Sequence, residues 1–212
     1  MKKMTTVAFA VTIGILFSNI VSAQSAFIEP EIGIYKPSDS DFEGDNSPRF
    51  GANVGVNLQN GFQVYGGYKM WLNEYDDVDG YGDPITIGSN ANFIIIGYRK
   101  IVKLQNNPID LRLGGEFLIS NFEMEYDDIN YDDYDYTANG SGTGFAVEGG
   151  ILFNVGGIQL FAGVNYLLLE AEYDEFKIGG NTYSPNELGV GKEESKIEGN
   201  GPNFKVSVIF SF

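Results

Sequence analysis

The stretch DDVDGYGDP, residues 76–84, places acidic side chains where a calcium loop would need them. Ca²⁺ binds several carboxylate and carbonyl oxygens at once, and a glycine between the ligands allows the sharp turn that brings them together. Asp77, Asp79 and Asp83, with Gly80 at the turn, are therefore candidate Ca²⁺ ligands. The motif occurs once, and Gly88 stands where an EF-hand loop would carry its bidentate glutamate. The alternative is an acidic, solvated loop that binds cations only loosely.

The composition offers little for acid–base or nucleophilic catalysis. The 212 residues include no His and no Cys, and His is the side chain that most often serves as general base. No Ser–carboxylate or Asp–Asp motif is recognisable, so we expect no enzymatic activity, no catalytic residue and no bound cofactor. The 29 acidic against 13 basic residues also argue against nucleic acid as a partner, because phosphate contacts need clustered Lys and Arg.

Acidic and aromatic side chains are concentrated together in residues 123–136, EMEYDDINYDDYDY, without any basic residue. Tyrosine side chains on a rigid scaffold make effective binding contacts, so one hypothesis is an adhesive or partner-binding patch. A second is that the carboxylates share divalent cations with anionic phosphate groups. A third is a charged surface that only keeps the protein soluble and monomeric. The tyrosines of the first hypothesis are Tyr75, Tyr81, Tyr126, Tyr131, Tyr134 and Tyr136.

The first residues have the layout of a secretory signal peptide. Lys2 and Lys3 precede an apolar stretch, 7–17, that is short for a membrane-spanning helix. The small residues of 21–23 then offer a cleavage site. We predict a cleaved signal peptide over 1–23 and one domain over 24–212.

Eight later segments alternate between apolar and polar residues with period two, the pattern of a half-buried strand. In 108–120, for example, Leu111 and Leu113 alternate with Asp110 and Arg112. The predicted strands cover about 26–36, 48–58, 61–72, 91–101, 108–122, 142–154, 158–171 and 203–212.

Short and long connections between these segments alternate along the chain. Asn60-Gly61 predicts a two-residue hairpin, and tight turns are also expected at 105–108 and 155–157. The long polar connections are about 37–47, 73–90, 123–141 and 172–202. Tight turns at one end and long loops at the other are typical of membrane barrels. We predict an all-β fold, an eight-stranded antiparallel up-and-down transmembrane β-barrel, with a secreted β-sandwich or lipocalin-like barrel as the alternative.

Charged residues follow the same alternation. The polar face of the strands carries five acids and five bases, and the other 24 of the 29 acids fall in the long connections or the strand ends beside them. An eight-stranded lumen is only wide enough for side chains, so we expect a buried network of ion pairs, and a narrow gated pore is the alternative. The ten residues are Glu29, Glu31, Asp110, Glu116 and Glu148, with Arg49, Lys69, Arg99, Arg112 and Lys205.

With eight strands, alternating loop lengths and a terminal aromatic residue, the chain resembles the OmpA/OmpX-type small outer-membrane β-barrels, also labelled porin-like. The resemblance implies that the C-terminus is an assembly signal. In this signal Lys205 takes the polar position, Phe210 and Phe212 take the two aromatic positions, and Ser207 stands where glycine is usual. The resemblance further implies recognition of Phe212 by the barrel-assembly machinery. Aromatic residues near strand ends predict an interfacial girdle: Tyr35, Phe50, Phe62, Tyr68, Trp71, Tyr98, Phe153, Tyr166, Phe204 and Phe212.

These observations predict a monomeric protein of the cell outer membrane with a structural or cell-surface interaction role. Its expected partners are outer-membrane lipid and lipopolysaccharide, and an extracellular protein or a divalent cation at the acidic loops. A narrow porin-like channel for small solutes is the alternative function.

Overall fold

The structure is a computed structural model that describes residues 25–36, 47–78, 84–104, 107–128, 135–191 and 195–212. The predicted signal peptide, 1–23, and the candidate ligands Asp79 and Asp83 lie outside these residues, so they stay predictions. Among the residues that are described, no helix is long and apolar enough to cross a membrane.

The described chain is built almost entirely of antiparallel strands. In chain order they are β1 (Ser25–Tyr35), β2 (Ser47–Asn57), β3 (Phe62–Val78), β4 (Pro84–Lys103), β5 (Ile109–Asp128), β6 (Tyr136–Val155), β7 (Ile158–Ile178), β8 (Asn181–Tyr183), β9 (Lys196–Glu198) and β10 (Gly201–Ser211).

Eight of these strands close into a barrel. β1 to β7 pair in sequence, and β10 pairs with both β7 and β1. At the seam, the backbone N–H groups of Ala26 and Phe212 each donate to the other residue's carbonyl at 3.0 Å. Closure pairs the backbone groups that an open sheet edge would expose, as a membrane requires. The predicted eight-stranded antiparallel barrel is confirmed.

The side-chain period of two separates an apolar exterior from a polar lumen. In β5, Leu111 and Leu113 are exposed outside, whereas Arg112 is 0% exposed. Exposed Ile, Val, Leu and Phe continue around the outside of the barrel, for example Ile94 and Phe145. So large an exposed apolar surface on a closed barrel is the surface that faces lipid.

The turns at one end of the barrel are tight. Gly156-Gly157 has φ values of 57° and 95° and forms the predicted tight turn, with Val155 paired to Ile158. The turn at Asn60-Gly61 is longer than the predicted two residues, because a short 3₁₀ turn spans Gln59–Gly61 and the N–H of Leu58 donates to the Phe62 carbonyl. Asn60 takes the left-handed conformation there.

The strands are much longer at the other end than the sequence predicted. Residues 73–78, 84–90, 123–128, 136–141 and 172–178 were expected to be loop, and they continue the β ladder instead. In β5 the apolar residues change parity, from Phe117 and Ile119 on the outer face to Met124 and Tyr126 on the inner face. This change interrupts the alternation of the barrel, so the segment looks like a loop in the sequence. The backbone groups of these segments pair in hydrogen-bonded hairpins all the same.

The exterior aromatic girdle is confirmed for most of its members and wrong for two. Phe50, Tyr98 and Phe204 are exposed outside, but Tyr35 and Trp71 are 2% and 1% exposed inside the lumen. Both lie on the inward-facing parity of their strands, and that alternation decides the face regardless of residue type.

Candidate functional site

The ten charged residues predicted for the lumen are all buried there. Glu29 is the centre of the first group of ion pairs. Its two carboxylate oxygens lie 2.5 Å from Arg99 Nη1 and 2.6 Å from Arg112 Nη1, and Ser207 donates its hydroxyl to Glu29 at 2.5 Å. Arg112 Nε is also 2.6 Å from Glu148. Ser207, where the family's terminal signal usually has glycine, thus supports this group.

A second group of ion pairs adjoins the first. Lys69 Nζ lies 2.9 Å from Glu31 and 2.8 Å from Glu116. Lys205 Nζ lies 3.1 Å from Glu31 and 2.5 Å from Glu148, which links the two groups. We call Glu29, Glu31, Arg49, Lys69, Arg99, Arg112, Glu116, Glu148 and Lys205 the lumen network. The predicted buried ion pairs are confirmed, and Asp110 lies apart from them, accepting a hydrogen bond from Asn154 at 3.0 Å.

Aromatic rings fill the space around the network. The guanidinium carbon of Arg112 lies 3.3 Å from the ring centre of Phe161, and that of Arg99 lies 4.5 Å from the ring of Tyr65. Tyr65 also donates its hydroxyl to Glu116 at 3.0 Å. These contacts hold the charges in place, since cation–π contacts strengthen when water is excluded. The sequence pattern did not predict inward apolar residues such as Phe161, because alternation places apolar residues on the exterior of a membrane barrel.

The lumen has a different lining at each end. At the short-turn end, a mouth of about 450 Å³ is lined by Asn57, Lys103, Asn154 and Gln159 among others. At the long-loop end, Tyr35 and Trp71 pack edge to face with ring centres 5.5 Å apart, and Tyr35 donates to the Gly199 carbonyl at 2.6 Å. The network therefore lies between a polar mouth and an aromatic layer.

Beyond that aromatic layer, the long strands form a sheet that extends past the barrel. β4 and β5 have 20 residues each, whereas β1, β2 and β10 have 11. At about 3.4 Å per residue and a tilt of about 40°, these lengths correspond to about 50 Å and about 28 Å along the barrel axis. An apolar band about 25 Å tall is needed to cross the membrane. We call residues 73–78, 84–89, 123–128, 136–142 and 170–178 the projecting wall.

The outer face of the projecting wall is acidic. Glu123, Glu125 and Asp127 alternate along β5, and all three are exposed. Glu74 and Glu125 are both register partners of Gly88, which has no side chain to separate them. The exposed carboxylates of the wall are Glu74, Asp76, Glu123, Glu125, Asp127, Glu170, Glu172 and Asp174.

The inner face of the projecting wall is aromatic. Tyr126 and Tyr136 stack with ring centres 5.1 Å apart, and Phe176 lies 6.5 Å from Tyr136 and 5.5 Å from Tyr173. Tyr173 also donates to the sulfur of Met124 at 3.5 Å. Tyr126 and Tyr136 thus pack between β5, β6 and β7 on the inner face, and the adhesive patch stays a prediction. Tyr81, Tyr131 and Tyr134 lie outside the described residues.

The candidate Ca²⁺ motif is only partly described. Asp77 lies in β3, where its backbone is the register partner of Ile85, and Asp79 and Asp83 fall in the undescribed turn. Within the described ranges, no group of three or more acidic side chains is arranged to hold a metal ion. The motif Asp77, Asp79, Asp83 therefore stays a prediction.

The connection between β7 and β10 is ordered by β8, β9 and a small turn. β8 and β9 both pair with β7. The N–H and the hydroxyl of Ser184 donate to Glu187 Oε2 at 2.7 and 2.8 Å, and these hydrogen bonds lower the pKa of Glu187. This support is therefore present above the ordinary glutamate pKa and is lost as the pH falls through the lowered value.

Known structures share this architecture. The structure of Neisserial surface protein A has a TM-score of 0.52 at 14% identity, covering 88% of this chain and 97% of that one. A major outer membrane protein from Thermus thermophilus has a TM-score of 0.59 at 11% identity, covering 88% and 99%. The N-terminal β-barrel domain of Pseudomonas aeruginosa OprF has a TM-score of 0.51 at 11% identity, covering 90% and 99%. No protein-family model and no curated protein matches the sequence.

The likeness is one of fold, and it confirms the small outer-membrane β-barrel architecture predicted from the sequence. The apolar exterior band, the closed ladder and the charged lumen agree with that architecture. The chain therefore has the fold of a small outer-membrane β-barrel, with its tight turns at one end and its projecting wall at the other. In barrels of this fold the short turns are periplasmic and the long loops extracellular.

Proposed function

We propose that this protein has no catalytic role and that its projecting wall binds lipopolysaccharide through shared divalent cations. The observation that carries the proposal is the set of exposed carboxylates on the outer face of β3, β5 and β7. These strands continue directly from the lipid-facing band, so the carboxylates lie where the anionic headgroups of the outer leaflet would be. Two anionic surfaces attract each other only when cations lie between them.

The spacing of the carboxylates suits this kind of bridge. Glu74 and Glu125 flank Gly88 on neighbouring strands, which places their backbones about 10 Å apart. Ca²⁺ and Mg²⁺ take oxygen ligands and keep several waters, so one or two carboxylates can share a cation with a phosphate group. Such a shared site needs no cluster of three protein carboxylates.

Neutralising this surface is expected to weaken lipopolysaccharide binding about tenfold, equivalent to about 1.4 kcal/mol. The variant combines Glu74→Gln, Asp76→Asn, Glu123→Gln and Glu125→Gln, which keep the side-chain shapes and remove four charges. The measurement is binding of lipopolysaccharide to the barrel in phospholipid nanodiscs, with Ca²⁺ and with a chelator. Wild-type binding should require the cation.

A matched control keeps all four charges and changes only the side-chain lengths, by Glu74→Asp, Asp76→Glu, Glu123→Asp and Glu125→Asp. This control is expected to bind nearly as well as the wild type. Binding that survives the chelator, or that is equal in both quadruple variants, contradicts the proposal. If neutralisation abolished binding of a polylysine peptide and left lipopolysaccharide binding unchanged, a basic extracellular protein would instead be favoured as the partner.

We also propose that Phe212 is read by the barrel-assembly machinery, as the family resemblance implies. Its side chain is 75% exposed on the lipid-facing side, while its backbone closes the seam with Ala26. Phe212→Ala keeps those backbone bonds and is expected to lower the outer-membrane yield in cells several-fold, whereas Phe212→Tyr is not. Spontaneous refolding of purified protein into vesicles should be equal for both variants. An unchanged yield of Phe212→Ala in cells would count against this role.

A further inference from the structure

Arg49 differs from the other cations of the lumen network. It is 2% exposed, yet no carboxylate oxygen of the described residues lies within 4.0 Å of its guanidinium nitrogens. Lys69, Arg99, Arg112 and Lys205 each contact at least one carboxylate. A buried cation that makes no direct contact with a counter-charge is unfavourable.

The hydrogen-bonding groups of Arg49 are also only partly used. With the Asn203 amide turned so that its oxygen faces the guanidinium, Nη1 donates to it at 3.2 Å. Nε and Nη2 are buried, and neither has an acceptor in the described part of the chain. Arg99 and Arg112 also have an unpaired Nη2, but their guanidinium groups contact Glu29. Arg49 thus has two buried N–H donors for which no described residue provides an acceptor.

The lumen network carries one surplus positive charge, which also calls for a negatively charged partner. The network holds five bases and four acids, which leaves one positive charge. Asp110, the fifth lumen acid, lies at the periplasmic end and accepts hydrogen bonds from the Leu104 N–H and from Asn154. The surplus charge belongs to the extracellular half of the network, where Arg49 lies.

Aromatic rings and a further unpaired hydroxyl lie around Arg49. Its guanidinium carbon is 5.2 Å from the ring centre of Phe93, and Ser120, the register partner of Phe93, has a fully buried hydroxyl without an acceptor in the described ranges. Trp71 is the register partner of Arg49 and lies in the aromatic layer above the network. Arg49 and Ser120 supply hydrogen-bond donors at this position, and the rings of Tyr35 and Trp71 cover it on the extracellular side.

We infer that the lumen binds one small monovalent anion of the halide class at Arg49 Nε and Nη2, beside Trp71. A single negative charge neutralises the surplus of the network, and a lumen this narrow admits only a compact ion among its side chains. The two N–H groups of a guanidinium edge form charge-assisted hydrogen bonds with such an ion.

The only tryptophan of the chain reports on this site, because register partners that face the same side have neighbouring side chains. The protein is refolded in detergent micelles with increasing iodide at constant ionic strength, and Trp71 fluorescence is measured. Wild-type fluorescence is expected to fall along a saturable curve, and added chloride should restore it. Free collisions of iodide with a side chain that is 1% exposed would give only weak, linear quenching.

Arg49→Gln is expected to abolish the saturable component, and Arg49→Lys, which keeps the charge without the planar fork, to weaken it several-fold. Lys177→Gln removes an exposed cation of the projecting wall and should leave the curve unchanged. If Arg49→Gln does not fold, the comparison of the quenching curves of Arg49→Lys and Lys177→Gln tests the inference by itself. Linear quenching in the wild type, or a saturable component that persists unchanged in either Arg49 variant, would overturn the inference.

Discussion

Replacing Glu29 by Gln is expected to lower the free energy of unfolding by about 3–5 kcal/mol. Glu29 is 0% exposed, and its two oxygens each face one guanidinium group, Arg99 at 2.5 Å and Arg112 at 2.6 Å. Gln keeps the shape but removes the charge and directs an NH₂ group towards these donors. Arg99 then loses the one carboxylate it contacts among the described residues. Urea unfolding of the barrel in lipid vesicles measures the loss.

The control for this experiment is Glu125→Gln on the outer face of β5. Glu125 is exposed, so the same chemical change is expected to alter stability by less than about 0.5 kcal/mol. In the double variant Glu29→Gln with Arg99→Met, the loss should be smaller than the sum of the two single losses, because both partners of one pair are removed together. A Glu29→Gln barrel as stable as Glu125→Gln would show that the ion pairs do not hold the lumen together.

Planar lipid bilayers that contain the refolded wild-type barrel are expected to show no discrete conductance steps. The lumen network crosses the barrel through contacts of 2.5–3.1 Å, and Phe161 and Tyr65 pack on its guanidinium groups. An ion that passed would have to separate buried charges, which costs several kcal/mol per ion. This measurement separates the surface-interaction role from the alternative of a narrow porin-like channel.

The conductance experiment needs proof that the barrel is folded. Migration on a denaturing gel should differ between heated and unheated samples, since a closed ladder resists detergent until it is heated. Reproducible, ion-selective steps in the wild type that change in Glu116→Gln would assign the lumen a transport role. The network would then be a gate and not a structural core.

Much of the barrel follows from sequence alternation alone. All ten charged residues assigned to the lumen are buried there, because in a strand the parity of a position decides its face. Leu111 and Arg112 show how strong the rule is, since neighbouring residues lie on opposite sides of the wall. The strand number followed from the same rule together with the alternation of short and long connections.

Other features could be recognised only from the pairing of neighbouring strands. Asp76 and Thr86 look like loop residues, yet they are register partners in a hairpin and Thr86 donates to Asp76 at 3.0 Å. Tyr126 and Tyr136 look like surface tyrosines, and they stack on the inner face of the projecting wall. In these segments the apolar side chains face inward, opposite to those of the lipid-facing band, so the pairing partners and not the barrel's own alternation reveal the strand.

The sequence by itself determined the all-β barrel, the face of each charged residue in the lumen and the acidity of the long-loop end. These depend on local alternation and on composition, which one strand carries without reference to the others. Only the tertiary structure decided that Glu29 joins Arg99 and Arg112, that the projecting wall is a paired sheet, and that Arg49 is left without a carboxylate among the residues described. Those facts depend on which side chains closure of the barrel brings together across several strands, and no single segment contains that information.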